Sequence, residues 1–446
     1  MRKVVSSRIS PAGKSAKGAP MATLTVQKFG GVCNGVTDDD AAHVALSNAV
    51  RPRQRIRVVG TSLGGGFNIY NKDGITIEGT GTIKQRDGSA ILHEFTDGKD
   101  WVIIGPTFDC RSQASGVTAL DIQRMKRFIM EHCTIKNVGD GSVTAVQAVY
   151  AAPGCDNTSI QRNYFENIQS GGDLANNGSS HGVMVSNYRD GTKLSSKVAI
   201  NYNTFKTLTS IGAVDNSNAI FIDQNTKNSH IAIVGNLGRG IKKRIAKCTT
   251  NYAVVADNIV YRDNIAGSFA AMSMYGDYGY FRRNQALCTG DSRYDSLVDF
   301  VGSNIDIDDN TLTNAAGADI SNVYGVYSYT TVPSNINVRR NSITRAKYHM
   351  RFAVGGSDIN IEDNVLNGAT SHNILFGNTI SNVSVLHNTA DATPHNFIYL
   401  PDAWTNLTAN DNVSHAGGGM LSSNPKAGDQ IHGNVNNGTA VAEYPQ

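Results

Sequence analysis

Glutamate is nearly missing from this 446-residue chain. Of its 37 acidic residues only six are Glu (Glu78, Glu94, Glu131, Glu166, Glu362 and Glu443), which leaves 31 Asp. Glu favours helices, whereas Asp, Asn and Gly favour turns, so a mainly helical fold is excluded. Proline is scarce at 10 and charged residues at 17%, against 45 Gly and 40% hydrophobic residues. That is a composition of strands joined by many turns. No stretch approaches the roughly 20 apolar residues of a membrane span, and the N-terminus lacks the apolar core of a signal peptide. A net charge of +3 is too small to call for nucleic acid as a partner. The six cysteines (Cys33, Cys110, Cys133, Cys155, Cys248 and Cys288) lie far apart with no CxxC pair. Neither a zinc site nor a disulfide framework is indicated, so inert thiols are expected, in a protein assembled in a reducing cytoplasm. No cofactor or metal is expected.

What the chain does contain is a repeat. Apolar residues at two alternate positions are followed by Asn and then by another apolar residue, as in Ile305-Asp-Ile307-Asp-Asp-Asn310-Thr-Leu312 and Ile359-Asn-Ile361-Glu-Asp-Asn364-Val-Leu366. The Asn slot falls at 80, 106, 133, 163, 203, 236, 258, 284, 310, 341, 364, 388, 412 and 434. It is Asn at eleven of these fourteen, the exceptions being Thr80, Pro106 and Cys133. An 446-residue chain exceeds the usual single core, but a solenoid buries each coil against its neighbours only. The spacing of 22 to 40 residues therefore predicts an all-β, right-handed parallel β-helix of about fourteen coils. In such a stack the alternating apolar residues line the interior, Asn tolerates a left-handed corner, and the amides form a ladder on a ~4.8 Å repeat.

Four segments follow. Residues 1–25 read as a basic leader, because the chain up to Thr37 carries Arg2, Lys3, Arg8, Lys14, Lys17 and Lys28 and no acid. Residues 26–50 read as a turn and a capping helix, with Thr37 as N-cap, three acids in the first turn, His43 on the helix surface, and Val44 and Leu46 to Ala49 covering the first coil. Residues 51–434 are the β-helix and 435–446 a tail.

The segment Phe29-Gly30-Gly31, followed by Asn34-Gly35-Val36-Thr37-Asp38-Asp39 and a helix, resembles the N-terminal signature of the pectate-lyase superfamily. That signature opens the β-helix of many bacteriophage tailspikes and capsule depolymerases. Lys28, Gly31 and Asn34 depart from the pattern, which makes a turn and a cap rather than chemistry. The resemblance implies a virion-tail enzyme that digests a bacterial surface polysaccharide, commonly as a homotrimer. It carries over no catalytic residues. His181-Gly182 is similar to the His-Gly pair of polygalacturonase-type hydrolases, but the companion acidic and basic motifs are missing at the matching coils.

Each coil carries a further strand before its Asn slot, such as Ala219-Ile-Phe-Ile222, Ala271-Met-Ser-Met274 and Leu297-Val-Asp-Phe300. With Val183, Ile220, Met272, Val298, Val326, Met350 and Ile374 inward, the outward face presents His181, Asn218, Phe221, Asp223, Ser273, Tyr275, Asp299, Tyr324, Tyr327, Tyr348 and Arg351. Aromatic rings take the apolar faces of sugars while carboxylates, amides and Arg take hydroxyls. His181, Tyr275, Tyr324, Tyr327, Tyr348 and Arg351 are thus candidate substrate-binding residues. Asp223, Asp277 and Asp299 are candidate catalytic acids for endo-hydrolysis. In register, Asp223 and Asp277 would stand about 9–10 Å apart, suited to inversion, and Asp277 and Asp299 about 5 Å, suited to retention. The rival enzyme is a lyase, with His181, Tyr275 or Lys347 as base and Arg351 neutralising a uronate. A non-catalytic glycan-binding adhesin is the third reading.

Overall fold

The computed structural model describes residues 22–444 except 115–116, 172–178, 188–192, 194, 211–216, 224–228 and 264–268. Most of the expected basic leader, residues 1–21, lies outside the described residues. The rest winds into a right-handed parallel β-helix of about fourteen coils. Three sheets run its length: sheet 1, of 15 strands, precedes the Asn corner; sheet 2, of 17, follows it; and sheet 3, of 13, completes the coil. Pairing is parallel throughout the solenoid, and the last described strands, Val435–Asn436 and Thr439–Ala440, close it as an antiparallel pair.

The alternation of apolar residues dictates what lies inside. In sheet 1, Ile307, Val338, Ile361 and Val385 stack in register and are fully buried. Aromatic rings stack the same way between coils, Phe165 on Phe205 at 4.7 Å and Phe352 on Phe376 at 5.3 Å. All six cysteines are free and buried. Burial pushes the Cys133, Cys155, Cys248 and Cys288 thiols up to about 12, so none offers a thiolate.

The eleven Asn form one continuous ladder. From Asn203 to Asn434, each Oδ1 accepts both the backbone N–H and the Nδ2–H of the slot residue one coil earlier, at 2.9–3.1 Å, and Asn163 Oδ1 accepts the Cys133 amide. The second Nδ2 proton goes to a sheet 1 carbonyl, as from Asn310 to Phe281 O at 2.9 Å. The left-handed corner residue is not the Asn itself. It is the residue before it: Arg162, Tyr202, Asp257, Arg283, Asp309, Arg340, Asp363, His387 and Asp411 have φ between 51° and 58°, and Gly fills the position at 235 and 433. The expected role of Asn thus divides between two neighbours, one bearing the strained backbone and one the buried amide.

The N-terminal cap also differs from expectation. Its helix spans Asp40–Ala49 with Asp39 at the N-cap, and Thr37 lies in the strand Asn34–Asp38. The Asp39 carboxylate accepts the Val32 and Cys33 amides instead of capping the helix, tying the turn to it. His43 is fully buried rather than superficial, because its Nδ1 accepts the Gly66 amide and its ring meets Phe67 edge-on. Leu46 plugs the first coil, whereas Val44 faces solvent.

Asn310→Ala removes the acceptor of two Asn284 donors and the side-chain donor of two bonds, leaving buried groups unpaired at about 1–3 kcal/mol each. Denaturant unfolding of Asn310→Ala should show a loss of about 3 kcal/mol or more. Asp309→Gly, which relieves a left-handed residue at the cost of a half-exposed ion pair with Arg340, should stay within about 1 kcal/mol of the parent.

Candidate functional site

The outward face of sheet 3 gathers the candidate residues because each coil contributes one strand in register with the next. One row runs Met184, Phe221, Lys247, Ser273, Asp299, Tyr327, Arg351. A second row holds His181, Asn218 and Arg244, and further along Tyr324 beside Tyr348. The predicted inward residues Val183, Ile220, Met272, Val298, Val326, Met350 and Ile374 are all buried, which fixes the direction of their neighbours. Two residues in these rows, Arg244 and Lys247, come from the strand Arg244–Cys248, which sequence reasoning missed. Its inward residues are Ile245 and the small Ala246 and Cys248, and its outward ones, Arg244 and Lys247, are basic, so it reads as a charged loop. The signal that exposes it is the spacing: the coil from Asn236 to Asn258 still needs a third strand.

Asp299 sits at the centre. It is only 8% exposed, and its Oδ1 has no hydrogen-bond partner. Arg244 Nη2 stands 3.8 Å from Oδ2, while Arg244 Nε donates to Ser273 Oγ. Burial pushes the Asp299 carboxyl up, with Arg244, Ser273 and Lys247 opposing. Lys247 is held over the Phe221 ring at 4.7 Å and the Tyr275 ring at 5.6 Å. Burial, followed by the charge of Arg244, pushes its ammonium down, and Asp223 and Asp299 oppose. Asp223 is likewise raised by burial, against Lys247.

Beside this polar centre lies an accessible aromatic platform. Tyr324 packs against Tyr327 at 4.6 Å and Tyr348 at 5.9 Å, and Tyr327 stacks on Tyr329 at 5.2 Å. Arg351 lies 4.8, 5.5 and 5.8 Å from the Tyr324, Tyr327 and Tyr348 ring centres. The Tyr329 hydroxyl donates to the Tyr275 hydroxyl at 2.9 Å, joining platform to centre. Tyr329 is a third residue the sequence did not flag, one residue beyond the strand Tyr324–Ser328.

Not every candidate belongs. Asp277 occupies the corner between sheets 3 and 1, where its Oδ1 accepts the Ser303 amide and its own N–H donates to Asn251 Oδ1. It is in register with Ser303, not Asp299, so the 5 Å pair expected from coil counting does not form. The registers that place Asp299 beside Ser273 put Asp223 three strands away, about 14 Å along the sheet. His181 is fully buried beneath Phe221, with ring centres 5.0 Å apart. Burial, then the charge of Lys247, pushes it down to about 3. It is a neutral floor residue rather than an accessible base. Lys347 lies 5.5 Å from the Tyr348 ring, at the platform's edge. No group of three or more His, Cys, Asp or Glu suited to a metal ion occurs among the described residues, and none of the described helices is long and apolar enough to cross a membrane.

No family model and no curated relative matches the sequence. Solved structures do match. A double mutant of the tailspike protein of E. coli bacteriophage HK620, in complex with a pentasaccharide, superposes with a TM-score of 0.61 at 10% identity, over 93% of this chain and 78% of that one. The fold is shared with a phage tailspike. A mannuronic acid specific polysaccharide family 6 lyase from human gut microbiota matches with a TM-score of 0.51 at 12% identity, over 92% and 90% of the two chains. ORF18 of Geobacillus virus E2 matches at 0.42 and 16% identity; the chain covers 57% of that protein, with 72% of its own length aligned.

Buried imidazoles give the fold a pH dependence. His93 and His181 are held near 3 and His349 near 4 by burial, against about 6.5 in the unfolded chain. A depressed pKa contributes stability that is complete above the unfolded value and is lost as pH falls towards the folded one. Melting temperature should therefore be steady above pH 6.5 and drop between pH 6.5 and 5, where ordinary carboxylates do not yet titrate. His181→Gln, with one such group fewer, should show a smaller drop.

Proposed function

We propose that the chain is a polysaccharide depolymerase of the phage-tail type, cleaving a bacterial surface glycan internally on the sheet 3 face between His181 and Arg351. The observation that carries this reading is Asp299: a nearly buried carboxyl with a free oxygen, raised by burial, beside an accessible tyrosine platform. A carboxyl kept protonated can donate to the leaving glycosidic oxygen, a step that hydrolysis and elimination share. The tyrosines supply the faces on which sugar rings stack. Support for the substrate class comes from the tailspike solved with a pentasaccharide and from the polysaccharide lyase, both of which share the fold.

The two reaction classes ask for different companions. Hydrolysis within one chain needs a second carboxyl about 5–9.5 Å away, and neither Asp223 nor Asp277 is placed to serve as that partner of Asp299. Elimination needs a base and a cation around one sugar, and Tyr275, Lys247 and Arg244 surround Asp299. The neighbours of Asp299 thus favour elimination as the second reading.

Asp299→Asn should lower the cleavage rate by about 100-fold to 10,000-fold with binding and fold intact. Asp277→Asn should keep a near wild-type rate. New chain ends with ultraviolet absorbance indicate elimination, and ends without it hydrolysis. As the proton donor, Asp299 must be protonated, so the rate should fall as pH rises through its raised pKa. An unaltered rate in Asp299→Asn overturns the assignment, and no new ends on any bound glycan would make the protein an adhesin.

We also propose a homotrimer joined along solenoid flanks. Light scattering at micromolar concentration should give three times the 47.7 kDa chain mass, and a single chain mass would refute it.

A further inference from the structure

The ion pairs of this solenoid set a standard that the candidate site does not meet. Between adjacent coils, Arg124–Asp97, Arg127–Asp100, Arg283–Asp257, Arg339–Asp308 and Arg340–Asp309 each close as two-point contacts at 2.5–3.2 Å. Two parallel N–H bonds are what a guanidinium offers a carboxylate when nothing prevents it. Arg244 does otherwise. It reaches across two strands to Asp299, stops at 3.8 Å and spends its Nε on Ser273. The other Asp299 oxygen is buried with no hydrogen-bond partner. Beside them Lys247 has no carboxylate oxygen of the described residues within 4.0 Å of its ammonium, which rests over two rings. Two half-buried to buried cations therefore stand without a two-point carboxylate partner: Asp299 meets Arg244 only at 3.8 Å, and Asp223 and Asp299 act on Lys247 from beyond contact distance. Buried charges are normally paired at hydrogen-bond distance, so cations held this loosely leave room for an anion to engage them.

We infer that the substrate is an acidic glycan and that the anionic group of one sugar, a carboxylate or a phosphate, is seated by Lys247 and Arg244 over Ser273 and Asp299. The inference rests on the depolymerase reading and narrows it. Recognition by these residues follows from their chemistry. The guanidinium can turn from its 3.8 Å contact to a two-point contact with the ligand, and the ammonium supplies a point charge in a water-poor setting. An anion beside Asp299 also disfavours the ionised form of that carboxyl, so it holds the proton that cleavage consumes. Binding is thus coupled to proton uptake and weakens as pH rises.

The test uses a panel of purified bacterial capsular and O-antigen polysaccharides, acidic and neutral, with binding measured on the immobilised full chain and cleavage by size-exclusion chromatography. Bound glycans should all be acidic. Lys247→Met should weaken binding by about thirtyfold or more, and Lys247→Arg should restore most of it. Carbodiimide–borohydride reduction of a bound glycan's carboxyls abolishes binding if the group is a carboxylate, and dephosphorylation does so if it is a phosphate. Cleavage of neutral glycans with Lys247→Met unaffected overturns the inference and leaves the depolymerase standing. Acidic glycans bound through Lys247 but never shortened overturn the depolymerase and leave the anion site standing. A panel with nothing bound or cut counts against both.

Discussion

Register is the constraint on which everything else in this molecule depends. A sheet of one-residue-per-coil rows has a functional face only if every coil stops at the same phase. The buried Asn ladder enforces this. An amide that accepts two bonds from the coil before it and gives one to the coil after cannot slip by a residue without leaving several donors unpaired in a dry interior. The residue before each Asn absorbs the left-handed backbone, and the polar groups of sheet 3 then arrive at fixed heights. Asp299 faces Ser273, and Lys247 faces Phe221, because an amide ladder at another corner holds the stack.

This is why the fold was legible in the residues. The ladder needs the same side chain at the same phase, and no other architecture does. The inward row was equally legible, since Ile220, Met272, Val298 and Met350 are large and apolar. What the residues concealed was a strand with a single large apolar residue, Ile245, between two cations. Ala246 and Cys248 fill the core opposite larger neighbours, so the hydrophobic signal fades where the most informative cations lie. The left-handed residue was placed one position late because both neighbours at the corner are often Asn or Asp, and only φ separates them. Asp277 shows a different limit. Coil counting gives height along the axis but not angle around it, and a residue three positions past a strand has already turned the corner to hold the Ser303 amide.

The chemistry of the candidate site grows from the same geometry. Residues on the outer face of a sheet are ordinarily wet, and carboxylates there have ordinary affinities for protons. On this face long side chains from successive coils lie over one another, so Asp299 and Arg244 are buried without leaving the surface layer. Desolvation raises the acid, lowers the lysine and strengthens every remaining charge interaction. A flat sheet thereby acquires the electrostatics of a pocket.

The ladder also has a direction. Every Oδ1 points back toward the chain's beginning, and every slot residue leaves its donors facing forward, from the Cys133 amide, which already awaits Asn163, to Asn412 awaiting Asn434. A nascent chain leaving the ribosome would therefore expose, at its growing edge, two N–H groups lacking an acceptor, and the next coil to emerge carries that acceptor in its corner. Each coil templates its successor and is finished by it. The order of synthesis and the polarity of the hydrogen bonds coincide, so vectorial winding, coil upon coil, lets the longest-range contacts of the finished rod form as short-range ones.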